Sequence, residues 1–195
     1  SMPGHRVPTR STSLSDQPLA INLINTRTRH RGLVFDHLSD PRGAQLWIRA
    51  AGSSLRQIDQ SGATALQSLR ALRRTRYSIT HLAEVQTGQR RPSAETQICI
   101  AYLNQHRSPA RFHLAGEQLA IGSGSTPFEE FRQACIDSAT AVFAAPERLA
   151  LRKCPSDQCL HYFVPYIEAR VWCSPACGNR TRVARQGNSP HAASR

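Results

Sequence analysis

Four of the six cysteines lie in two close pairs near the C-terminal end of the chain. Cys154 and Cys159 have four residues between them, thirteen residues follow, and Cys173 and Cys177 have three residues between them. Two close pairs on a short linker let four thiolates converge on one tetrahedral metal ion, for which zinc is the usual choice. Since so small a segment buries too little apolar surface to fold unaided, the spacing predicts one structural Zn²⁺ ion.

Other uses of these cysteines fit the sequence less well. Disulfides need an oxidising compartment, whereas the N-terminus lacks the apolar stretch of a signal peptide and we expect a cytoplasmic protein. A redox pair typically has two residues between its cysteines. His161 is a rival ligand, although a histidine in a strand beside Cys159 is more often a polar edge residue. Four thiolates leave no coordination position for water or substrate, which argues against an enzyme.

Residues around the second pair predict a helix that begins at the metal. Ser174 suits an N-cap and Pro175 the first helical position, so Cys177 falls in the first turn. The positive end of a helix stabilises a thiolate there. Short strands flank a knuckle at 154–159, and the order strand, knuckle, hairpin and helix predicts a treble-clef-like module over 147–187.

The preceding residues, 16–146, predict a helical domain, and the fold class is α+β, mostly α. A capped helix over 15–32 would bury Leu19, Leu23 and Ile24. Further helices are expected from Asp40 with Leu46 and Trp47 inward, over 63–87, from Ser93 with Ile98, Cys99 and Leu103 inward, and from Thr126 to Ala144. Alternating runs near 110–114 and 118–122 predict a β-hairpin.

The two ends of the chain and its charge suggest how it behaves in solution. Residues 1–15 read as a disordered leader, in which Ser1 before Met2 resembles a cloning scar, and 188–195 as a disordered tail. No apolar window of membrane-spanning length occurs, so no membrane partner is expected. The net charge is +12, from 25 basic and 13 acidic residues, and Lys153 is the one lysine among the basic residues. This charge is compatible with a polyanionic partner.

The C-terminal motif resembles that of the bacterial CGNR zinc-finger proteins, whose zinc module follows an N-terminal ABATE domain. The matching residues are Cys154, Cys159, 172–174 and 177–180, with a looser match at 19–26, 36–41, Trp47 and 65–73. The resemblance implies a DNA-binding regulator of stress-induced transcription. One departure is that Phe163 is followed by Val-Pro-Tyr, without the Asp and Ser that the family usually shows, which weakens the case for a phosphate contact by this loop.

A helix beginning at Pro175 would place four polar side chains on one face. At about 100° per residue, that face spans about 120° and carries Asn179, Arg182, Arg185 and Gln186. Asn, Gln and Arg suit base edges, and Arg also suits phosphate, so we assign this face to DNA. The alternative is an ordinary solvated face. Arg180 falls outside the face and is expected to brace the module by bonding a carboxylate or carbonyls, with a contact to the DNA backbone as the alternative.

The helical domain is expected to sense a small-molecule effector or to form a homodimer. Polar and titratable residues cluster after its first helix and could line a ligand or anion pocket: Asn25, Thr26, Arg27, His30 and Asp36. The alternative is that Asn25 and Thr26 only cap the helix. For the whole protein, the second function considered is a protein-interaction or RNA-binding module without sequence-specific DNA recognition.

Overall fold

The computed structural model describes residues 16–30, 32–51, 62–107, 111–115, 118–122 and 126–187. The predicted disordered ends at 1–15 and 188–195 lie outside these ranges. In the described part, the helices are α1 (Leu19–Ile24), α2 (Pro41–Ala50), α3 (Gly62–Gln86), α4 (Ala94–Gln105), α5 (Pro127–Phe143) and α6 (Pro175–Gly187). Three antiparallel strand pairs separate them: β1 (Arg27–His30) with β2 (Leu33–Asp36), β3 (Arg111–Ala115) with β4 (Gln118–Gly122), and β5 (Arg152–Lys153) with β6 (Tyr162–Phe163).

Side-chain caps fix where two of the helices begin. The Asp40 carboxylate accepts a hydrogen bond from the Gly43 amide at 2.8 Å, and proline follows as the first residue of α2. Thr126 caps α5 in the same way, with its hydroxyl accepting from the Glu129 amide at 3.3 Å. A cap satisfies an amide that the helix itself leaves unpaired, which makes these starts readable from sequence. Both predicted starts, and the hairpin β3–β4, are confirmed.

The first predicted helix is wrong over its second half. Helix α1 ends at Ile24, and the residues from Arg27 onward form the hairpin β1–β2 instead. Thr26 ends the helix because its hydroxyl donates to the Leu23 carbonyl at 2.7 Å. Gly32, at φ +80°, sits in the tight turn between the strands, a backbone conformation that glycine adopts readily.

Two aliphatic side chains that were predicted to be buried are exposed. Leu46 of α2 and Ile98 of α4 face solvent, whereas Trp47 and Cys99 beside them are buried. The buried face of α2 runs through Ala44, Trp47 and Ile48, and a step of about 100° per residue places position 46 on the opposite side.

The core lies where α1 packs against α3 and α5, and α3 packs in turn against α4 and α5. Apolar residues from the C-terminal module enter the same core: Leu151, Tyr162 and Val164. The cysteine module is therefore docked on the helical bundle through a shared apolar cluster. This continuity fixes the module's orientation on the bundle.

Candidate zinc centre and the helix beside it

The four C-terminal cysteines converge from a knuckle and a helix. Strands β5 and β6 pair antiparallel, with Lys153 opposite Tyr162. The knuckle between them is closed by a hydrogen bond from the Cys154 amide to the His161 carbonyl (2.9 Å) and one from the Cys159 amide to the Ser156 carbonyl (2.8 Å). Two short strands and a tight turn thus direct both thiols of the first pair to one side.

The second pair lies at the start of helix α6. The helix begins at Pro175, and the Cys177 amide donates to the Ser174 carbonyl at 3.1 Å and lies 3.4 Å from the Ser174 hydroxyl. Cys173 precedes the helix and Cys177 lies in its first turn, as the sequence predicted. Amides of a first turn carry partial positive charge, which favours thiolate at this position.

The spacing of the sulfurs fits one tetrahedral zinc ion. All four Sγ atoms lie within 4.8 Å of one another. The Sγ atoms of Cys159 and Cys173 are 3.6 Å apart, and those of Cys173 and Cys177 are 3.5 Å apart. Zinc–sulfur bonds of about 2.3 Å in a tetrahedron place neighbouring sulfurs about 3.8 Å apart. The two sulfurs of a disulfide are about 2.05 Å apart, so none of these four cysteines is in a disulfide and each thiol is free to bind a metal.

The shifted pKa values of the clustered thiols are also consistent with a metal site. The pKa of Cys154 lies well below its usual range because the thiols of Cys159 and Cys173 donate hydrogen bonds to its sulfur. The same bonds raise the pKa of Cys159 to about 12 and raise the pKa of Cys173. Four thiolates at this distance repel one another, and a divalent metal removes that repulsion.

His161 contributes its backbone and stays outside the cluster of metal-ligating groups. That cluster, among the described residues, consists of four cysteines. The His161 amide lies 3.5 Å from the Cys159 sulfur, while burial lowers the pKa of its imidazole. A backbone amide directed at a thiolate stabilises the charged ligand.

Arg170 braces the loop before the second cysteine pair, a role the sequence analysis missed. Its guanidinium donates to the Trp172 carbonyl at 3.1 Å and to the Cys173 carbonyl at 2.5 Å, and it lies over the Phe163 ring. Arg152 donates in turn to the Arg170 carbonyl at 3.1 Å. An arginine fork can bind two carbonyls of one turn at once, so these contacts hold the turn that carries Cys173.

The Trp172 ring packs against α6 at Gly178. A Cβ atom at position 178 would lie 2.9 Å from Trp172 Cδ1, closer than carbon atoms pack. Trp172 also packs against the sulfur cluster, together with the buried Phe163 ring. Glycine at position 178 therefore leaves the space in which the indole packs against both the helix and the sulfur cluster.

The outer side of α6 is polar and basic. Asn179, Arg182 and Arg185 are exposed, and Arg182 donates to the Asn179 side-chain oxygen at 3.3 Å. Gln186 lies in the helix, and its side chain is outside the described part. Val183, which is 67% exposed, shares this surface. The structure brings together at least three of the four residues that the sequence assigned to DNA, while their contact with DNA stays a prediction.

Arg180 contacts a metal ligand instead of the oxygen atoms that were expected. Its guanidinium donates to the Cys177 sulfur at 3.2 Å. Arg180 lies three positions after Cys177 along α6, which places the two side chains side by side on the helix surface. The expected bonds from Arg180 to a carboxylate or carbonyls are replaced by this contact, and Arg170 makes the carbonyl bonds.

Three of the five residues assigned to a ligand pocket are used inside the protein. Arg76 of α3 makes a bidentate ion pair with Asp36, at 2.5 and 2.7 Å, and donates to the Thr26 hydroxyl at 2.8 Å. Burial raises the pKa of Asp36, but hydrogen bonds from Arg76 and the Leu38 amide outweigh it, so the net pKa lies below the usual value. These contacts favour the alternative in which the residues serve the fold.

Asn25 also has a structural partner, in the zinc module. Its amide nitrogen donates to the Tyr162 carbonyl and its amide oxygen accepts from the Tyr162 amide, both at 2.8 Å. Gln17 pairs with the backbone of Val164 in the same manner, at 2.8 and 3.4 Å. The two carboxamides extend the edge of β6 as a neighbouring strand would.

Arg27 and His30, the remaining two, are exposed on β1. Two cavities are described, and neither is lined by any of the five predicted residues. The first lies between α2, α3 and α5, and the second beside Lys153 and Val171. A ligand pocket at the end of α1 therefore has no support from the contacts of these side chains.

The helical bundle and its cysteine module together define a zinc-finger protein with a helical N-terminal domain. A family model described as "ABATE: Putative stress-induced transcription regulator" matches residues 17–149, and the CGNR zinc finger matches residues 150–187. The first match covers more than half of the chain. The protein therefore belongs to the ABATE family, and it carries a CGNR zinc finger with one structural zinc ion.

These matches confirm the resemblance, the fold class and the zinc ion predicted from sequence. Both are regulatory or zinc-finger families rather than enzyme families. No curated protein matches the chain. Among the described residues, no helix is long and apolar enough to cross a membrane.

Proposed function

We propose that this protein is a DNA-binding transcription regulator that presents α6 to duplex DNA. The observation that carries the proposal is that α6 exposes amide and guanidinium side chains beyond a first turn fixed at the metal site. The sequence of α6 contains Arg180, Arg182 and Arg185 and no Asp or Glu. A helix with this charge is attracted to phosphates along its whole length.

The exposed side chains also suit the chemistry of base edges. Arg182 and Arg185 can bind phosphate or guanine, and Asn179 can bind adenine through two hydrogen bonds. Val183, exposed between them, suits contact with a thymine methyl group. Gln186, one turn further on, extends the same set by sequence. Arg180 is directed at the Cys177 sulfur, so we assign it to the metal site.

Anchoring of α6 supports a recognition role. Cys177 ties its first turn to the metal, and Trp172 closes against Gly178. The module in turn shares its apolar core with the bundle. A helix held at one end and exposed at the other can enter a groove with little loss of conformational entropy on binding.

A salt-dependent DNA titration tests the proposal. We expect the double variant Arg182→Ala/Arg185→Ala to bind a mixed-sequence duplex more weakly and to lower the slope of log K against log salt by about 1.8, as for two lost phosphate contacts. The matched control is Arg49→Ala/Arg91→Ala, which removes the same charge from exposed positions on the helical domain. Zinc content should be equal in all three proteins.

Two results would refute the α6 assignment. One is an unchanged slope in Arg182→Ala/Arg185→Ala, and the other is an equal loss in the control, which would show that only net charge matters. Val183→Asp, expected to weaken binding through repulsion of phosphate, provides a second variant on the same face.

A protein-interaction role is the second candidate, and one observation favours it. Ile167 is 72% exposed and Tyr166 beside it is also exposed, on the loop between β6 and Cys173. Exposed aromatic and aliphatic residues together are typical of a protein contact. If Ile167→Asp abolished function in the cell while duplex binding stayed intact, this role would be favoured. Competition between duplex DNA and structured RNA tests the RNA alternative.

The helical domain would then supply regulation, through an effector or a homodimer. A homodimer predicts cooperative binding to a palindromic site, because two-fold protein symmetry matches two half-sites. Light scattering across a range of protein concentrations would measure the oligomeric state directly.

A further inference from the structure

Helices α2, α3 and α5 surround a cavity that no part of the proposed DNA contact uses. Its volume is about 340 Å³, within the range of about 300–1,000 Å³ typical of small-molecule sites. Its lining is mostly apolar and includes Ala44, Ile48, Leu69, Leu72 and Phe128. The cavity lies in the helical domain, away from the residues at the end of α1 that the sequence suggested for a ligand.

The polar groups of this cavity give it a charge preference. Arg42, Gln45 and Ser68 line it, and among the described lining residues Arg42 is the charged one and no carboxylate occurs. Asp40, which is not part of the lining, accepts hydrogen bonds from the Gly43 amide at 2.8 Å and the Ser39 hydroxyl at 3.0 Å. Its carboxylate also attracts the Arg42 charge, but both of its oxygens are held by these bonds at the helix start. Arg42 is exposed and lies in the first turn of α2.

We propose that this cavity binds a small amphipathic anion, with an apolar body on the apolar lining and a carboxylate-like group at Arg42. The apolar lining favours a hydrocarbon body, since each buried methylene contributes about 0.8 kcal/mol. An arginine in the lining can bind a carboxylate through two parallel hydrogen bonds. Gln45 and Ser68 can hydrogen-bond the same group. The proposal does not depend on the DNA contact.

Titration calorimetry with three probes of one chain length tests this site. On the full zinc-loaded protein, octanoate should bind at least tenfold more tightly than octylammonium, with octanol between them, because only octanoate complements Arg42. Arg42→Gln should remove the preference for octanoate over octanol, and Arg42→Glu should make octylammonium the tightest of the three. Arg49→Gln, an exposed arginine of α2 outside the cavity, is the control and should change nothing.

A filling variant separates binding in the cavity from binding elsewhere. Ser68→Met should weaken all three probes at least tenfold, because methionine occupies space that the probe needs while suiting a helix. The proposal is overturned if octanoate does not bind at millimolar concentration, if the three probes bind equally, or if Ser68→Met binds as the parent does. A dimer that Ser68→Met dissociates would instead show that a second copy covers the cavity.

Discussion

The side-chain amide of Asn25 pairs with the backbone of Tyr162 through two hydrogen bonds of 2.8 Å, across 137 residues of sequence. Asn25 follows α1 of the helical domain, and Tyr162 lies on β6 of the zinc module. Both groups are buried, so the amide replaces the water or strand that the edge of β6 would otherwise bind. One side chain thus links the two family regions of the protein.

Replacement of Asn25 should therefore destabilise the junction between the two regions. Asn25→Ala leaves the Tyr162 amide and carbonyl unpaired, and we expect a loss of about 1–3 kcal/mol in the free energy of unfolding. Asn25→Asp should lose as much, because a carboxylate cannot donate to the Tyr162 carbonyl. Urea unfolding measures both, with the exposed Asn104→Asp of α4 as the control. A midpoint for Asn25→Asp equal to that of the parent would contradict this role.

The ion pair of Asp36 with Arg76 should matter far more than an exposed pair in the same domain. The two side chains are 29% and 10% exposed, whereas Asp137 and Arg107 are 55% and 54% exposed. Asp36→Asn leaves a largely buried guanidinium without its charge partner, which costs about 3 kcal/mol, while Asp137→Asn should cost less than about 1 kcal/mol. Denaturant titrations of both variants at neutral pH measure the free energies of unfolding. Equal losses in the two variants would show that the Asp36–Arg76 ion pair contributes no more than an exposed pair.

The same pair predicts a pH dependence. The folded pKa of Asp36 lies below its unfolded value, so its contribution is present above about pH 4 and is lost as the pH falls through the folded pKa. Asp36→Asn should remove that part of the acid sensitivity. If the parent and the variant lost stability in parallel below about pH 4, protonation of Asp36 would be excluded as a cause of the acid sensitivity.

Gly178 gives a prediction whose sign is informative. In an open helix position, glycine to alanine stabilises by about 1 kcal/mol. At position 178 the new Cβ would lie 2.9 Å from Trp172 Cδ1, so we expect Gly178→Ala to destabilise the zinc module by about 1–3 kcal/mol instead. Thermal unfolding followed by tryptophan fluorescence would show this. Ala184→Gly, at an exposed site of α6, measures the propensity effect alone; stabilisation by Gly178→Ala would refute the packing.

Arg170 and Arg182 should give opposite results in two assays. Arg170→Gln removes bonds to the Trp172 and Cys173 carbonyls, so we expect lower thermal stability and faster zinc loss to a chelator. The salt slope of DNA binding should stay as in the parent. Arg182→Ala should lower the slope by about 0.9 and leave zinc loss unchanged. The reverse pattern would exchange the roles of the two arginines.

The cysteine spacing and the helix caps could be read from the sequence because their determinants are local. Four thiols at Cys154, Cys159, Cys173 and Cys177 need only short segments to meet, and a cap such as Asp40 acts within three residues of itself. Such patterns fix chemistry before the tertiary structure is known. The zinc ion and the starts of α2, α5 and α6 were predicted for this reason.

The contacts that join distant segments could not be predicted. Thr26, Asp36 and Arg76 meet because α3 passes the hairpin β1–β2, which forms although the preceding apolar pattern is helical. Polar side chains there looked available for a ligand since nothing local occupies them. Tertiary packing overrode propensity, and the partners come from another part of the chain.

Arg170 escaped notice for a related reason. The loop after Phe163 departs from the family pattern, and the sequence analysis drew from it only a weaker case for a phosphate contact, with no role for Arg170. The structure turns Arg170 inward, to the Trp172 and Cys173 carbonyls. A signal existed in its position three residues before Cys173, where an arginine can reach the carbonyls of a ligand turn, but sequence alone does not give the side-chain direction.

Removal of zinc should weaken the helical domain as well as the module. Leu151, Tyr162 and Val164 lie in the bundle core, in or next to the strands that flank the knuckle of Cys154 and Cys159. We expect a chelator to lower the melting temperature followed by far-ultraviolet circular dichroism, and excess zinc to restore it. The chelator already saturated with zinc is the matched control. An unchanged helical melting curve after complete zinc removal would show that the shared core is dispensable.

Zinc affinity should also fall steeply with acid. Hydrogen bonds from the thiols of Cys159 and Cys173 to the Cys154 sulfur raise the pKa of Cys159 to about 12 and also raise the pKa of Cys173. Each of these two thiols therefore keeps its proton until zinc displaces it. Every proton released makes binding about tenfold weaker per unit of falling pH. Between about pH 8 and about pH 6, competition with a chromophoric chelator should therefore show a loss of at least about a hundredfold, after correction for the chelator's own protonation. Affinity that stayed constant over this range would mean that the four thiols are already ionised before zinc binds.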